Sequence, residues 1–316
     1  MNMLISIVFS FRNEEENIPE LVRRVTEAVA TIADVRHEMI FVNDDSSDES
    51  LGVLKALQER HPITIINMSR RFGVTPCIMA GLAHAKGDAV ICMDTDLQDP
   101  PELIPQMVQK FRDGADVVHT TRTHRDGENA FKMWVTKKAY QFINCFSEIY
   151  LPENTGDFKL LSRKVVQEIL GLKEYDPYMR GLSVWVGYSQ DVLLYRRESR
   201  WKGESKFSLF SKAPIQEFVR GVTAFSAAPL YFALFLGATT SLVSVGLILY
   251  AIITKLADIA VPGVSGMLIA VAFFSGIILV TNGVVGIYIA RIYYEVKRRP
   301  RYIIKQVMSH KAIVDN

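Results

Sequence analysis

Ala89-Val90-Ile91-Cys92-Met93-Asp94-Thr95-Asp96-Leu97-Gln98-Asp99-Pro100-Pro101 runs from an apolar segment straight into a cluster of carboxylates. The apolar part predicts a buried strand, and the Asp-x-Asp that follows stands where that strand ends. Working outward, the same grammar repeats. Leu4 to Phe9, Met39 to Asn43 and Ile63 to Met68 predict further strands. Between them, Asn17 to Ala33 carries Ile18, Leu21, Val22, Val25 and Val29 at helical spacing. Helices are also expected over Ser50 to Arg60 and Gly73 to Ala85. Strands alternating with helices imply an α/β fold with a parallel sheet covered on both faces. Ligands of such sheets bind at the carboxyl ends of the strands.

Three predicted strands end in acidic loops. The first ends at Phe11-Arg12-Asn13-Glu14-Glu15 and the second at Asn43-Asp44-Asp45-Ser46-Ser47-Asp48. The third is the Asp94-Thr95-Asp96 segment. Carboxylates crowded on one sheet edge repel unless a cation is among them. Hard oxygen ligands select Mg²⁺ or Mn²⁺, which bind through a few carboxylates plus substrate phosphates. For Ser46, Ser47, Asp48 and Glu49 the plain expectation is capping of the next helix.

The 316 residues carry 36 Lys and Arg against 34 Asp and Glu, a formal net charge of +2. That balance argues against a nucleic-acid binder and against an acidic disordered chain. The mean hydropathy of +0.14 is high for a soluble enzyme and points to two unlike parts. Cys77, Cys92 and Cys145 form no Cys-x-x-Cys pair, so neither a disulfide framework nor a zinc site is expected. Each reads as a small core residue in a reducing compartment.

The greasy part is C-terminal. No charged residue occurs from Gly221 to Thr254 or from Ile259 to Ala290. A bilayer core needs about 20 helical residues, so two transmembrane helices are expected near 229–254 and 266–290. Pro262-Gly263 marks the turn of a hairpin. Lys202, Lys206, Lys212 and Arg220 precede the first span, and Arg291, Lys297, Arg298, Arg299 and Arg301 follow the second. The positive-inside rule then places both termini in the cytoplasm. The N-terminal apolar run lacks a basic leader and meets Glu14-Glu15-Glu16 at once, unlike a signal peptide. The expected plan is a catalytic domain over 1–210, a juxtamembrane amphipathic helix over 211–228, two spans within 229–290 and a basic tail over 291–316. The segments 130–146 and 207–225 mix aromatic and basic residues in the manner of interfacial helices.

The motifs NEEENIPEL (13–21), NDDSSD (43–48), DTDLQDPPELI (94–104), TTRTHRDGE (120–128), NTGDFKLLSRKVV (154–166), SVWVGY (183–188) and GESKF (203–207) together resemble family 2 glycosyltransferases of the GT-A fold. With the two spans and YIARIYYEVKRRPRYIIK (288–305), the likeness narrows to the polyprenyl-phosphate glycosyltransferases, a group that includes dolichol-phosphate mannose synthases and bactoprenol glucosyltransferases. The chain departs from the pattern at Phe9, Arg12, Asp45 and Arg71-Phe72-Gly73-Val74-Thr75.

The resemblance implies inverting transfer of a hexosyl group from a nucleotide sugar to a lipid phosphate. UDP-glucose is the favoured donor and undecaprenyl phosphate the favoured acceptor, as in O-antigen modification. It places Asp94, Asp96 and Gln98 at a Mg²⁺ or Mn²⁺ ion. Glu14, Asp44, Asp94 and Arg122 would meet the donor, and Asp157 would stand beside the acceptor or sugar. Lys132, Arg200 and Lys206 would hold the acceptor phosphate. A membrane-bound enzyme of the bacterial inner membrane, open to homo-oligomerisation, is the expected setting. Other sugars (mannose, an N-acetylhexosamine, a modified arabinose) remain alternatives, as does a non-catalytic module that binds nucleotide sugars or lipid carriers. A processive synthase is disfavoured, because Arg197 stands where a Gln-x-x-Arg-Trp motif needs Gln. No G-x-G-x-x-G follows a strand and no Walker A motif is present, which argues against a nicotinamide enzyme and a P-loop ATPase.

Overall fold

In the computed structural model, residues 3–125, 141, 144–145, 147, 149–150, 155–197, 219–257 and 263–309 are described. The chain forms two compact units. One contains residues 1–145, 149–221 and 300–316, and the other contains 146–148 and 222–299.

The first unit is built on a sheet. Its strands are β1 (Met3–Phe11), β2 (Val35–Asn43), β3 (Ile63–Met68), β4 (Ala89–Asp94), β5 (Val117–Arg125), β6 (Thr155–Ser162), β7 (Gln190–Arg197) and β8 (Ile304–Met308). Their spatial order is β7-β5-β6-β4-β1-β2-β3-β8. Strands β4, β1, β2 and β3 pair in parallel, as the βα alternation predicts. Strand β6 is inserted antiparallel between β4 and β5, and β7 lies parallel to β5.

Helices cover both faces. The alternation along β1 divides them: Ile5, Ile7 and Phe9 pack with α1 (Ile18–Ala30), α2 (Ser50–Gln58) and α4 (Ile104–Arg112). Val8 points the other way, toward α3 (Val74–His84) and α5 (Arg163–Gly171). Helix α1 buries Ile18, Leu21, Val22, Val25 and Val29, the stripe seen in the sequence, and has a proline in its first turn. At the centre Phe9 and Phe41 stack with ring centroids 4.5 Å apart. Burying one such side chain stabilises by about 2–3 kcal/mol.

Cys77 and Cys92 are core residues as expected, whereas Cys145 is exposed; all three are free thiols. The stretch after the second apolar helix also differs from a plain tail. Residues 304–308 form β8, antiparallel to β3 at the sheet edge. Tyr302 and Ile304 pack against the α3 side of the core, and Arg301 donates to the carbonyl of Leu172. The chain thus leaves the first unit at 221 and rejoins it at 300.

The second unit is a pair of long helices, α7 (Ala228–Leu256) and α8 (Val264–Lys297). They are longer than the expected 229–254 and 266–290. The segments 228–254 and 269–297 each contain an 18-residue stretch with a mean hydropathy of 2.1. At 1.5 Å per residue each segment exceeds the roughly 30 Å of a bilayer core. Leu234, Phe235, Leu242, Ile248 and Ile253 on one helix, and Ile269, Leu279 and Ile289 on the other, are turned outward. So much outward apolar surface suits lipid rather than water and marks a membrane-associated protein. Hydroxyls within the spans are satisfied by the helix itself: Thr239 donates to Phe235 O and Ser244 to Thr240 O. Of the expected juxtamembrane helix over 211–228, residues 219–224 are helical and 211–218 lie outside the described residues.

Candidate active site

Parallel pairing levels the carboxyl ends of β1, β2 and β4: Phe11 is opposite Asn43, and Ser10 is opposite Asp94. The loops that leave these ends form two contrasting groups.

The loops after β1 and β2 are laced together by small polar side chains. Asn13, with φ of 56°, donates from its backbone to Ser46 Oγ at 3.1 Å and accepts from Ser47 N at 2.9 Å. Glu14 N donates to Ser50 Oγ, and Glu49 N donates to Glu15 Oε2. Of Ser46 to Glu49, Asp48 meets the capping expectation, accepting from Ser50 N at the start of α2 at 3.2 Å, and the other three do not. Glu49 occupies the N-cap of α2 without a side-chain cap bond, and the serines tie loop to loop. The donors they satisfy belong to the neighbouring loop, which no local pattern could reveal. Asp45 takes the left-handed conformation, φ 59°, one that aspartate tolerates better than most residues. Asp44 is buried, and its carboxylate accepts from Phe72 N at 2.6 Å and Gly73 N at 3.0 Å. It therefore clamps the entry to α3, where Gly73 has φ of 98°. Glu14 is half-buried and accepts from Asn17 Nδ2 at 2.6 Å.

The loop after β4 is a crowd of charges. Asp94, Asp96 and Gln98 are half-buried and alternate with buried Thr95, Leu97 and Asp99. Asp96 Oδ1 accepts from Gln98 N at 3.2 Å, and Leu97 has φ of 57°, so the loop turns tightly. Strand β6 delivers Asp157 to the same place. Cys92 is paired with Lys159; two residues onward, in opposite directions, come Asp94 and Asp157.

Arg180, on α6 (Met179–Trp185), grips Asp157 with Nε at 3.1 Å and Nη2 at 2.9 Å. Lys159 is buried and donates to Ser183 Oγ at 3.1 Å. Arg122, at the end of β5, bonds Tyr195 and Asp99.

The electrostatics follow from this crowding. Burial, then the charges of Asp96, Asp99 and Asp157, push the Asp94 carboxyl up to about 7, against the pull of Arg122. Burial also raises Asp157, but Arg180, followed by Lys159 and Arg122, outweighs it and holds Asp157 well below the usual carboxylate range. Burial lowers Lys159 to about 8 although Asp157 favours its charged form. Asp94 is thus short of positive charge while Asp157 is well supplied.

A divalent cation fits the Asp94 end. Its side chains offer oxygen donors, Asp94, Asp96 and Gln98 are half-buried, and the Asp94 carboxylate is destabilised by like charges. Among the described residues no three His, Cys, Asp or Glu side chains gather closely enough to hold a metal unaided.

The sequence-predicted residues Asp94, Asp96, Gln98, Arg122 and Asp157 come together on this edge, with Glu14 and Asp44 on the loops of the neighbouring strands. Lys132, Arg200 and Lys206 lie outside the described residues, as does most of the 130–146 segment. Arg180, Tyr195, Asp99 and Lys159 were not singled out in sequence. Asp99 could have been, from its place beside the Asp-x-Asp; Arg180 and Tyr195 carry no local signal.

Residues 6–170 match the family described as Glycosyl transferase family 2. An uncharacterized glycosyltransferase of Synechocystis sp., sll0501, is 39% identical over 97% of this chain and 96% of its own length. The SfII prophage-derived bactoprenol glucosyl transferase of Shigella flexneri is 38% identical over 98% of this chain and 99% of its own. Among solved structures, S. aureus TarS 1-349 in complex with UDP-GlcNAc aligns with a TM-score of 0.47 at 16% identity, covering 70% of this chain and 66% of that one. The strand-end carboxylates, the mixed sheet and these near full-length likenesses lead to one conclusion: the chain belongs to glycosyl transferase family 2 and is a glycosyltransferase.

Proposed function

We propose that the protein transfers a hexosyl group, glucose from UDP-glucose in the favoured case, to a polyprenyl phosphate, with inversion at the anomeric carbon. The observation that carries this reading is the near full-length likeness to a bactoprenol glucosyl transferase, which extends through both apolar helices. Undecaprenyl phosphate is the matching acceptor, and the product is a lipid-linked sugar for cell-surface modification. The lipid phosphate is met at the membrane surface, because pulling its tail out costs about 0.8 kcal/mol per CH₂.

The chemistry divides among the residues. Asp94, Asp96 and Gln98 would hold Mg²⁺ or Mn²⁺, which neutralises charge on a departing diphosphate. Arg122 offers a fixed cation to the same charge. Asp44 and Glu14 line the nucleoside end. Asp157, gripped by Arg180, stays ionised and is a weak base, so it orients rather than abstracts a proton. The reaction needs no strong base, since a phosphate monoester is already anionic near neutral pH. Its oxygen attacks the anomeric carbon opposite the diphosphate, giving a β-linked product from an α-linked donor. Lys132, Arg200 and Lys206 supply the cations for the acceptor phosphate. The chain up to 221 and the chain from 300 onward, on either side of the two helices, belong to the same sheet unit, which supports two crossings with both termini in the cytoplasm.

Membranes containing the protein, incubated with a panel of nucleotide sugars, test the reading. Mass spectrometry is expected to find a β-linked hexosyl polyprenyl phosphate formed from UDP-glucose. No lipid-linked sugar from any donor would defeat it, and an α-linked product would overturn the single displacement.

A further inference from the structure

Arg122 does not stand alone at the strand ends. Its Nε donates to Tyr195 Oη at 2.9 Å, and its Nη2 reaches Asp99 Oδ1 at 3.4 Å. Tyr195 Oη in turn donates to the same Asp99 oxygen. The tyrosine hydroxyl therefore accepts from the arginine and donates to the aspartate, a pairing that fixes the direction of both bonds. Asp99 is 1% exposed and Tyr195 5%. The Tyr195 ring stands edge-on to Phe158, the neighbour of Asp157, with centroids 6.3 Å apart. Below the guanidinium lies Gly156. A Cβ there would come within 2.8 Å of Arg122 Nη2 and 3.3 Å of its Cζ. The guanidinium is thus held from behind by Asp99 and Tyr195 and occupies the space a side chain at 156 would take.

We infer that Tyr195 and Asp99 are positioning residues that, with the gap left by Gly156, hold the Arg122 guanidinium beside Asp94 and Asp157, ready for the charge that develops on the departing diphosphate. This rests on the transfer reading above. An arginine on a flexible stem would otherwise reorganise during the reaction, and a preset cation avoids that cost. The arrangement also explains why a tyrosine is needed at 195. Phenylalanine would keep the packing on Phe158 but leave Arg122 Nε without its acceptor and Asp99 without its hydroxyl donor.

A double-mutant cycle on the full chain tests the inference, with hexosyl transfer to polyprenyl phosphate as the readout. Tyr195→Phe should lower kcat/KM for the donor about tenfold in the wild-type background, the effect of about one lost charge-assisted hydrogen bond. In an Arg122→Ala background the same substitution should cost less than about twofold, because the group it positions is gone. Gly156→Ala, which displaces the guanidinium without removing any polar group, should reproduce the tenfold loss, and transfer within about twofold of wild type would overturn the positioning role. Equal losses in both backgrounds, or full activity of Tyr195→Phe, would overturn the positioning role. A wild-type chain inactive with every nucleotide sugar would instead defeat the transfer reading, and additive losses in an active enzyme defeat only this one.

Discussion

The two loop groups at the carboxyl edge of the sheet solve different problems. After β1 and β2, polar groups meet backbone amides and hydroxyls: Asn13 with Ser46 and Ser47, Glu15 with Glu49, Asp44 with Phe72 and Gly73. After β4, charges meet charges: Asp157 with Arg180, and Asp99 with Arg122. The first group holds a shape. The second holds an electrostatic field, and one of its members, Asp94, is left raised to about 7 by its neighbours. Shape is spread over many bonds worth about 1 kcal/mol each, whereas field is concentrated in a few groups. Single substitutions on the first side should therefore hurt stability and donor binding while sparing turnover, whereas those on the second should strike turnover, the stability held in its ion pairs, or both.

The largest effect is expected at Asp96. Asp96→Asn keeps an acceptor for Gln98 N, so the turn survives, but it removes a metal-neutralising charge. Transfer should fall by about a thousandfold or more with the melting midpoint little changed. EDTA should stop the wild-type enzyme, and Mg²⁺ or Mn²⁺ should restore it. Near-normal turnover of the variant at saturating metal would erase the proposed contrast.

Arg180→Ala comes next. It leaves Asp157 half-buried without its bidentate partner, and a loss of about 2 kcal/mol is expected, below the fully buried range because both groups keep some exposure. The pH dependence has a definite sign. Asp157 is held below its ordinary value of 3.8, so its stabilisation is present above that pH and is lost as pH falls through the lower folded value. The wild-type advantage in thermal midpoint should accordingly shrink between about pH 5 and pH 2. A gap that stays constant over that range would mean the pair is not what stabilises.

The smallest effect belongs to the laced side. Asn13→Ala removes both side-chain bonds to Ser47, keeps the backbone bond to Ser46, and puts alanine at φ 56°. It should cost about 1–2 kcal/mol in stability and raise the donor KM, with kcat within about twofold of wild type. A large fall in kcat would move Asn13 into the charged group.

Much of this was visible in one dimension because its causes are local. The apolar run 89–93 ends in Asp94-Thr95-Asp96 whatever surrounds it, the stripe in α1 has helical spacing, and two charge-free stretches are long enough for a bilayer. Those facts were enough for an α/β fold, a carboxylate-rich strand end and two long apolar helices. The remainder depended on pairing across the chain. Nothing between 155 and 162 says that β6 runs antiparallel beside β4, yet that choice alone sets Asp157 against Asp94. Arg180 and Tyr195 reach the edge through α6 and β7, and residues 304–308 become β8 by joining an edge some 240 residues upstream. A strand's period of two tells which face a side chain takes but not which strand is its neighbour; that is settled by burial and backbone hydrogen bonding over the whole sheet.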